Sequence, residues 1–562
     1  MNRLLVWILA STAALPAAFS PREKSAARHI SAEAIAAHVR FLADDLLEGR
    51  APASRGSELA LRYVAAQYER LGLVPLGDDG GFLQRFDIVG MKTQVTTPIT
   101  VAAPGGKSLV LQPVVESVVN AGRQEPALAV RDADVVFAGY GITAPEQKWD
   151  DFKGVDVRGK VLLVMNSDPE DDPALFAGKT RLYYGRWDYK YAEAARHGAA
   201  GVIIIHTDHS ASYPWHVVQS SWTGPQFELP ARPSDPRLGL EMWATEDACR
   251  RLAALGGHDL DALRRAAERR DFRPVALGVK LTAAVKVALT RTRTANVVGK
   301  LPGSDPKLAA EVVVVSAHHD HLGIREGLGP RPTAGGAVGP VSVDAIYNGA
   351  QDNASGVAAL LDIAEALSSL QPRPKRSIVF AAVAAEESGL LGSQWLCEHP
   401  PIAPGRMAAN LNIDGLDIWG RTSDIAYVGL GKSTLDDVIA QVARAQGRQL
   451  TGDDRPDKGN FYRSDQFNFA KIGVPAVYLK AGVRHPGHDE AWGRALKDKY
   501  DNERYHQPSD QIDGTWNLDG AVEDVQLMTV ALMRIADAPK MPAWRPGDEF
   551  EAARKQALGA VR

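Results

Sequence analysis

The sequence predicts an α/β protein in which a mostly parallel sheet is covered by helices on both faces and a smaller α/β unit is inserted ahead of it. Two observations carry this. From residue 311 onward short apolar runs alternate with helical patterns, the arrangement of strands joined by crossover helices. Between residues 125 and 285 a second series of strand, turn and helix signals repeats the theme on a smaller scale. With 562 residues, a chain of two to four domains is expected.

Taken in order, residues 1–20 read as a signal peptide. Arg3 gives a positive start, Leu4 to Leu15 are apolar or small, and Pro16-Ala17-Ala18 offers small residues for cleavage. The apolar run is too short for a stable membrane span, so the expectation is a secreted or periplasmic protein with no stable membrane insertion once the signal is removed. Residues 21–124 form the N-terminal part of the main domain. Ser31 can cap a helix carrying Ile35, Val39, Leu42 and Leu46 on one face, and Ser57 to Leu71 read as a second helix closed by Gly72. Val95, Thr97, Ile99 and Val101 alternate as a strand, and Pro98 suggests that it is an edge. Residues 125–285 hold the inserted unit, with strands at 134–138, 161–165 and 201–205 and a helix from Tyr191 to His197. Residues 286–545 form the main α/β domain and 546–562 a C-terminal tail. In it 311–316, 377–384, 407–413 and 474–479 are strands, with helices at 354–370, 389–397 and 435–446.

Composition narrows function by exclusion. Hydrophobic residues make up 45% and charged residues 23%, and the net charge of −4 is small for this length. Neither nucleic acid nor an anionic membrane is an expected partner. The two cysteines, Cys249 and Cys397, fit no Cys-x-x-Cys spacing and read as free buried thiols or a disulfide between domains, so any zinc must be held by His, Asp and Glu.

Five places in the main domain carry such residues. His318-His319-Asp320-His321 follows a strand, and a His and an Asp two apart lie on one side of extended chain. Asp352 precedes a helix, where a carboxylate is also an ordinary cap. Glu386 and Glu387 follow a strand and face opposite ways. Asp414 ends another strand, where a carboxylate is costly unless solvated or paired. Tyr505-His506 lies in a polar loop. Each alone also reads as solvated surface.

In this order, His-x-Asp, Asp, Glu-Glu, Asp, Tyr-His, the set resembles the co-catalytic di-zinc aminopeptidase family, the group of bacterial leucyl aminopeptidases and glutamate carboxypeptidase II. Asn296-Val297-Val298-Gly299 and Ser464-Asp465-Gln466-Phe467 fit as well, although the usual His after Ser-Asp is Gln466. The inserted unit resembles a protease-associated domain. The resemblance implies a zinc-peptidase fold with a mostly parallel mixed sheet, and two zinc ions. His318 and Asp414 would hold one zinc, Glu387 and His506 the other, and Asp352 would bridge them. His319 and His321 compete with His318, which is preferred because it alone sits two before Asp320. Glu386 would be the general base acting on a zinc-bound water, Asp320 would steady the neighbouring groups, and Tyr505 would donate to the oxyanion.

The substrates implied are peptides, cleaved at the N-terminus. Five carboxylates against two zinc ions leave about one negative charge to favour a substrate ammonium group. The alternatives are a carboxypeptidase or dipeptidase of the same fold, for which Arg421 is the obvious local cation, a one-zinc glutaminyl cyclase, and a non-catalytic transferrin-receptor-like binding protein.

Overall fold

The computed structural model describes residues 18–173, 175–324 and 344–561. The signal-peptide segment lies outside the described residues up to position 17. The described chain takes up regular structure at once: Ser20 caps the helix Pro21–Ala27 in a reciprocal capping box with Glu23, and Glu23 pairs with Arg534 at 2.7 Å.

In the main domain the sheet runs, by strand, 449–452, 424–428, 476–481, 407–412, 312–318, 377–383 and the end of 275–301. The central strands 476–481, 407–412, 312–318 and 377–383 are mutually parallel. The strand Asp424–Val428 and the end of Val275–Leu301 are antiparallel to their inner neighbours, so the sheet is mixed at its flanks. The strands 312–318, 377–383 and 407–412 are buried along their whole length, as expected for a sheet covered on both faces. The helices Ala32–Leu42, Arg55–Arg70, Ser355–Ser368, Leu435–Ala445 and Asp519–Asp537 contribute their apolar faces to one core with it.

Leu46 does not continue the first helical face. The helix stops at Leu42 and the chain turns through left-handed backbone at Glu48, Gly49 and Arg50, leaving Leu46 76% exposed. The turn brings Arg50 inward instead.

The second unit has its own parallel strands, 127–137, 161–165, 201–206 and 240–245, closed by the antiparallel strand Ser117–Ala121. The boundary expected at residue 125 falls inside this unit: Ser117–Ala121 is hydrogen-bonded to it, and Val89, Met91, Ile99, Val101 and Leu111 belong to its core. Pro98 lies where the pairing of Leu83–Ala102 with Val275–Leu301 slips register, and on its other side the pairing with Ser108–Leu111 covers only 99–102 and that with Pro225–Glu228 only 89–92, so a residue without an N–H interrupts no ladder there. These two long strands form a ribbon shared by both units. The C-terminal segment also packs: Arg554, in the helix Glu551–Gly559, is buried and donates to the Met407 carbonyl at 2.9 Å. Both cysteines are free and buried. Among the described residues no helix is long and apolar enough to cross a membrane.

Candidate metal centre

Three adjacent parallel strands end at the same place, and each delivers one part of the site. His318 is the last residue of Val312–His318, Glu386 and Glu387 follow Ser377–Val383, and Asp414 follows Met407–Asn412. This is the edge at which open α/β sheets bind ligands. Asp352 arrives from the irregular turn Ala350–Ala354 ahead of the helix Ser355–Ser368, and His506 from the loop after Glu490–Glu503.

The carboxylate of Asp352 lies between the two histidines. Its Oδ1 is 3.3 Å from His318 Nε2 and its Oδ2 is 3.2 Å from His506 Nε2. Asp414 Oδ1 stands 3.4 Å from His318 Nε2, and Glu387 Oε2 stands 3.1 Å from His506 Nε2. Of the three histidines in the first motif, His319 turns away: its Nε2 meets the Ala295 carbonyl at 3.1 Å, and burial pushes its pKa down to about 4. His321 does face the site, with Nδ1 2.6 Å from Glu387 Oε1. Donor atoms therefore gather in two groups, His318 with Glu386 and Asp414, and His321 with Asp352 and Glu387, each within 4.8 Å. His321, weighed only as a rival of His318, sits with the other group, and Glu386 lies among the donors of the first.

These residues fit metal ions. His506 Nε2, Glu387 Oε1 and both ring nitrogens of His321 are buried and make no well-aligned hydrogen bond, although His321 Nδ1 and Glu387 Oε1 face each other at 2.6 Å and two carboxylates stand 3.1–3.2 Å from His506 Nε2. Buried polar atoms are rarely left unpaired, and a cation would pair all of these. Burial drives the Glu386 carboxyl pKa well above the ordinary range, against the opposing pull of His318 and with the added push of Asp414 and Glu387. For His318 burial works downward, but Glu386, Asp352 and Asp414 raise it well above normal.

Outer contacts hold the donors in place. Asp320, fully buried, accepts from the Glu386 backbone N–H at 3.2 Å and lies 3.8 Å from His318 Nδ1. Ser464 Oγ donates to Asp414 Oδ2 at 2.5 Å and in turn accepts from Asn412 at 2.8 Å. Gln466, at the departure from the family pattern, accepts from Asn412 at 2.9 Å and donates to the Phe461 carbonyl at 2.8 Å, so it steadies the same layer. Asp510 accepts from the backbone N–H groups of Gln351 and Asp352, both at 3.1 Å. Tyr505 stacks on the His506 ring at 3.9 Å and remains 41% exposed. Burial of its hydroxyl, with Asp352 and Glu387 nearby, raises its pKa, so the phenol stays a proton donor.

Three contributors escaped the sequence reading. Arg50 is buried and donates to the carbonyls of His319 at 2.9 Å, Asn348 at 2.6 Å and Gly349 at 3.0 Å, and also to Leu42, tying the His motif to the loop ahead of Asp352. Tyr478 is buried with its hydroxyl 3.5 Å from the Asp414 carbonyl. Gly349 has φ 56°, and a Cβ there would stand 2.5 Å from the His321 ring, so only glycine lets the loop pass. Arg421, the sequence candidate for a cationic pocket, is 61% exposed on its side chain and 3.4 Å from Glu523 on the surface.

Residues 296–530 match the model of Peptidase family M28. A probable zinc metalloprotease of Pyrenophora tritici-repentis is 41% identical over 75 residues, 13% of this chain and 17% of that protein. A probable glutamate carboxypeptidase of Arthroderma benhamiae is 30% identical over 179 residues, 31% of this chain and 21% of that protein. The chain spans 11% to 23% of the length of the curated relatives it matches. Among solved structures, an aminopeptidase from Aneurinibacillus sp. strain AM-1 is similar at 19% identity, covering 94% of this chain and 97% of that one, with a TM-score of 0.49.

Proposed function

Because residues 296–530 belong to peptidase family M28, we propose that the protein is a two-zinc aminopeptidase that releases N-terminal residues from peptides. The observation that carries the reading is the Asp352 carboxylate, with one oxygen turned to His318 and the other to His506. A carboxylate so placed suits two cations, each with its own set of donors. In this reading His318 and Asp414 serve one zinc, Glu387 and His506 the other, and Asp352 both. Zinc bound there supplies Lewis acidity toward water and a peptide carbonyl.

The chain's own groups divide the remaining work. Glu386, beside His318 and Asp414, takes the proton of the attacking water and passes it to the departing amine. Asp320 fixes the Glu386 backbone, and Ser464 fixes Asp414. The Tyr505 phenol is the donor for the tetrahedral oxyanion. The surplus of carboxylates in the site favours a substrate ammonium group, and Arg421 is engaged elsewhere.

The test is a pair of chromogenic amides differing only in N-acetylation, each with and without a chelator. Cleavage of the free amine alone, abolished by the chelator, is expected. Equal cleavage of both, or release of C-terminal residues from an N-blocked peptide, would replace this reading with a carboxypeptidase or endopeptidase. The inserted unit is read in the same spirit as a protease-associated domain, and the chain as secreted or periplasmic. N-terminal sequencing from the producing cell, with a mature start near residues 18–25 expected, decides the latter.

A further inference from the structure

The inserted unit has a cavity of its own, and none of the residues around it belongs to the metal centre. It holds about 270 Å³ and lies at the carboxyl ends of three parallel strands. Tyr140 comes shortly after Ala127–Phe137, Met165 ends Val161–Met165 with Asn166 next to it, and Ile205 and Thr207 flank the last residue of Gly201–His206. This is the edge at which open α/β sheets take their ligands. The helix Leu260–Ala267 closes one side with Arg264 and, just past its end, Glu268. A volume of about 270 Å³ falls just short of the ~300–1,000 Å³ usual for ligand sites, so the occupant is of amino-acid size.

The charges around this cavity do not balance. Asp168, Glu170, Asp171 and Glu268 bring four carboxylates, against two guanidinium groups, Arg264 and Arg265. Arg264 is already bound to Glu246 at 2.6 Å, and Arg265 is exposed to water. Asp168 is 2% exposed and held in place by the Leu182 N–H, which donates to its Oδ2 at 3.0 Å. Glu268 accepts from the Tyr140 hydroxyl at 2.5 Å, yet burial raises its pKa, and the nearby Asp171 and Glu170 raise it further. Lys190 brings no charge into the space: it is 1% exposed and gives its Nζ to the Ser167 carbonyl at 2.8 Å. Asn166 supplies a separate sign of a missing partner. It is 5% exposed, and its Nδ2 donates to the Ser210 carbonyl at 2.8 Å. Its Oδ1 is buried with no hydrogen-bond partner. An unpaired buried acceptor is costly, and beside a set of carboxylates it calls for a cationic donor.

We propose that this cavity binds a small primary ammonium compound, its N–H groups shared among Asn166 Oδ1 and the carboxylates of Asp168 and Glu268, and its short apolar body lying on Met165 and Ile205. An ammonium group offers three diverging donors and one positive charge, which suits acceptors spread around a space. A metal ion needs its donors drawn together instead. Among the described residues, the groups of His, Asp and Glu close enough to hold an ion are the two at the metal centre. Met165 and Ile205, 7% and 1% exposed, give the apolar floor that a short hydrocarbon chain would cover. The site is independent of catalysis and would persist in a chain that cleaved no peptide.

Calorimetry on the full-length, zinc-loaded protein compares isoamylamine, its carboxylate counterpart 4-methylpentanoate, and leucine. The amine should bind and 4-methylpentanoate should not. Leucine binding as well as the amine identifies a free amino acid as the occupant, and much weaker leucine identifies a simple amine. E268Q should weaken the amine by about tenfold or more, the effect of losing a charged acceptor. D171N, a change at an exposed position that spares the fold, should weaken it by about two- to fivefold. H506A, which damages the metal centre, should leave this binding intact. If the amine also occupies the metal centre, two sites per chain appear and H506A removes only one of them. Hydrogen exchange should show the amine protecting residues 166–171 in the natural protein and in H506A alike. Absence of amine binding, equal binding of amine and carboxylate, affinity unmoved in both E268Q and D171N, or binding lost altogether in H506A would overturn the proposal.

Discussion

The Ser464 hydroxyl donates to Asp414 Oδ2 at 2.5 Å, while Asp414 Oδ1 faces His318 Nε2 at 3.4 Å. One oxygen of the carboxylate is therefore held by the protein and the other is left for a ligand.

Ser464→Ala should leave the fold intact and weaken one metal by about ten- to a hundredfold, the usual effect of removing a group that orients a ligand. A competition titration against a chromophoric chelator reads this. Unchanged affinity would mean that Asp414 needs no orientation.

Metal analysis after mild dialysis should give about two zinc ions per chain, from two donor groups with the Asp352 carboxylate lying between His318 and His506. His506→Ala and His321→Ala should be compared side by side. Loss of about one ion in H506A, with near-normal content in H321A, supports His506 as the ligand and His321 as a partner of Glu387. The opposite pattern exchanges them. A fully active enzyme with one ion would sink the two-metal site.

Glu386→Gln should retain both metals and lose about a hundred- to ten-thousandfold in kcat, because the amide keeps the shape and cannot take a proton. Glu387→Gln should lose metal. Measuring zinc content and turnover in both variants separates the roles, and swapped phenotypes would reverse the assignment.

Arg50→Ala should cost on the order of 3–4 kcal/mol of stability, because several buried carbonyls lose their donor together and a cavity remains. Denaturant unfolding reads the loss, and activity should fall with it, since the carbonyls of His319 and Gly349 flank His318 and Asp352. A change within experimental error would show that water replaces the guanidinium.

The ligand candidates were legible because they sit where chemistry interrupts a local pattern: His318, Glu387 and Asp414 each end or follow an apolar strand. Their helpers obey no local rule. Arg50 stands in a turn whose left-handed backbone reads as nothing more than Gly-Arg in sequence, and apart from Leu42 its partners lie about 270 to 300 positions away. The strands were likewise visible as apolar runs, but their order was not. Ser117–Ala121 belongs to the inserted sheet through pairing with Leu240–Thr245, a long-range contact that no periodicity announces. His321 faced a simpler difficulty: three histidines in four positions cannot be sorted until the chain after the strand has a direction.

The ribbon formed by Leu83–Ala102 and Val275–Leu301 passes through both units as continuous, hydrogen-bonded strands, paired along nearly the whole of the shorter one. A hinge needs a few residues free to rotate about their backbone, and there is none at this crossing. If either unit melts, the other loses the hydrogen-bond partners of its own outer strand. The two cores should therefore unfold in a single cooperative transition, and proteolysis should not release the inserted unit as a stable fragment.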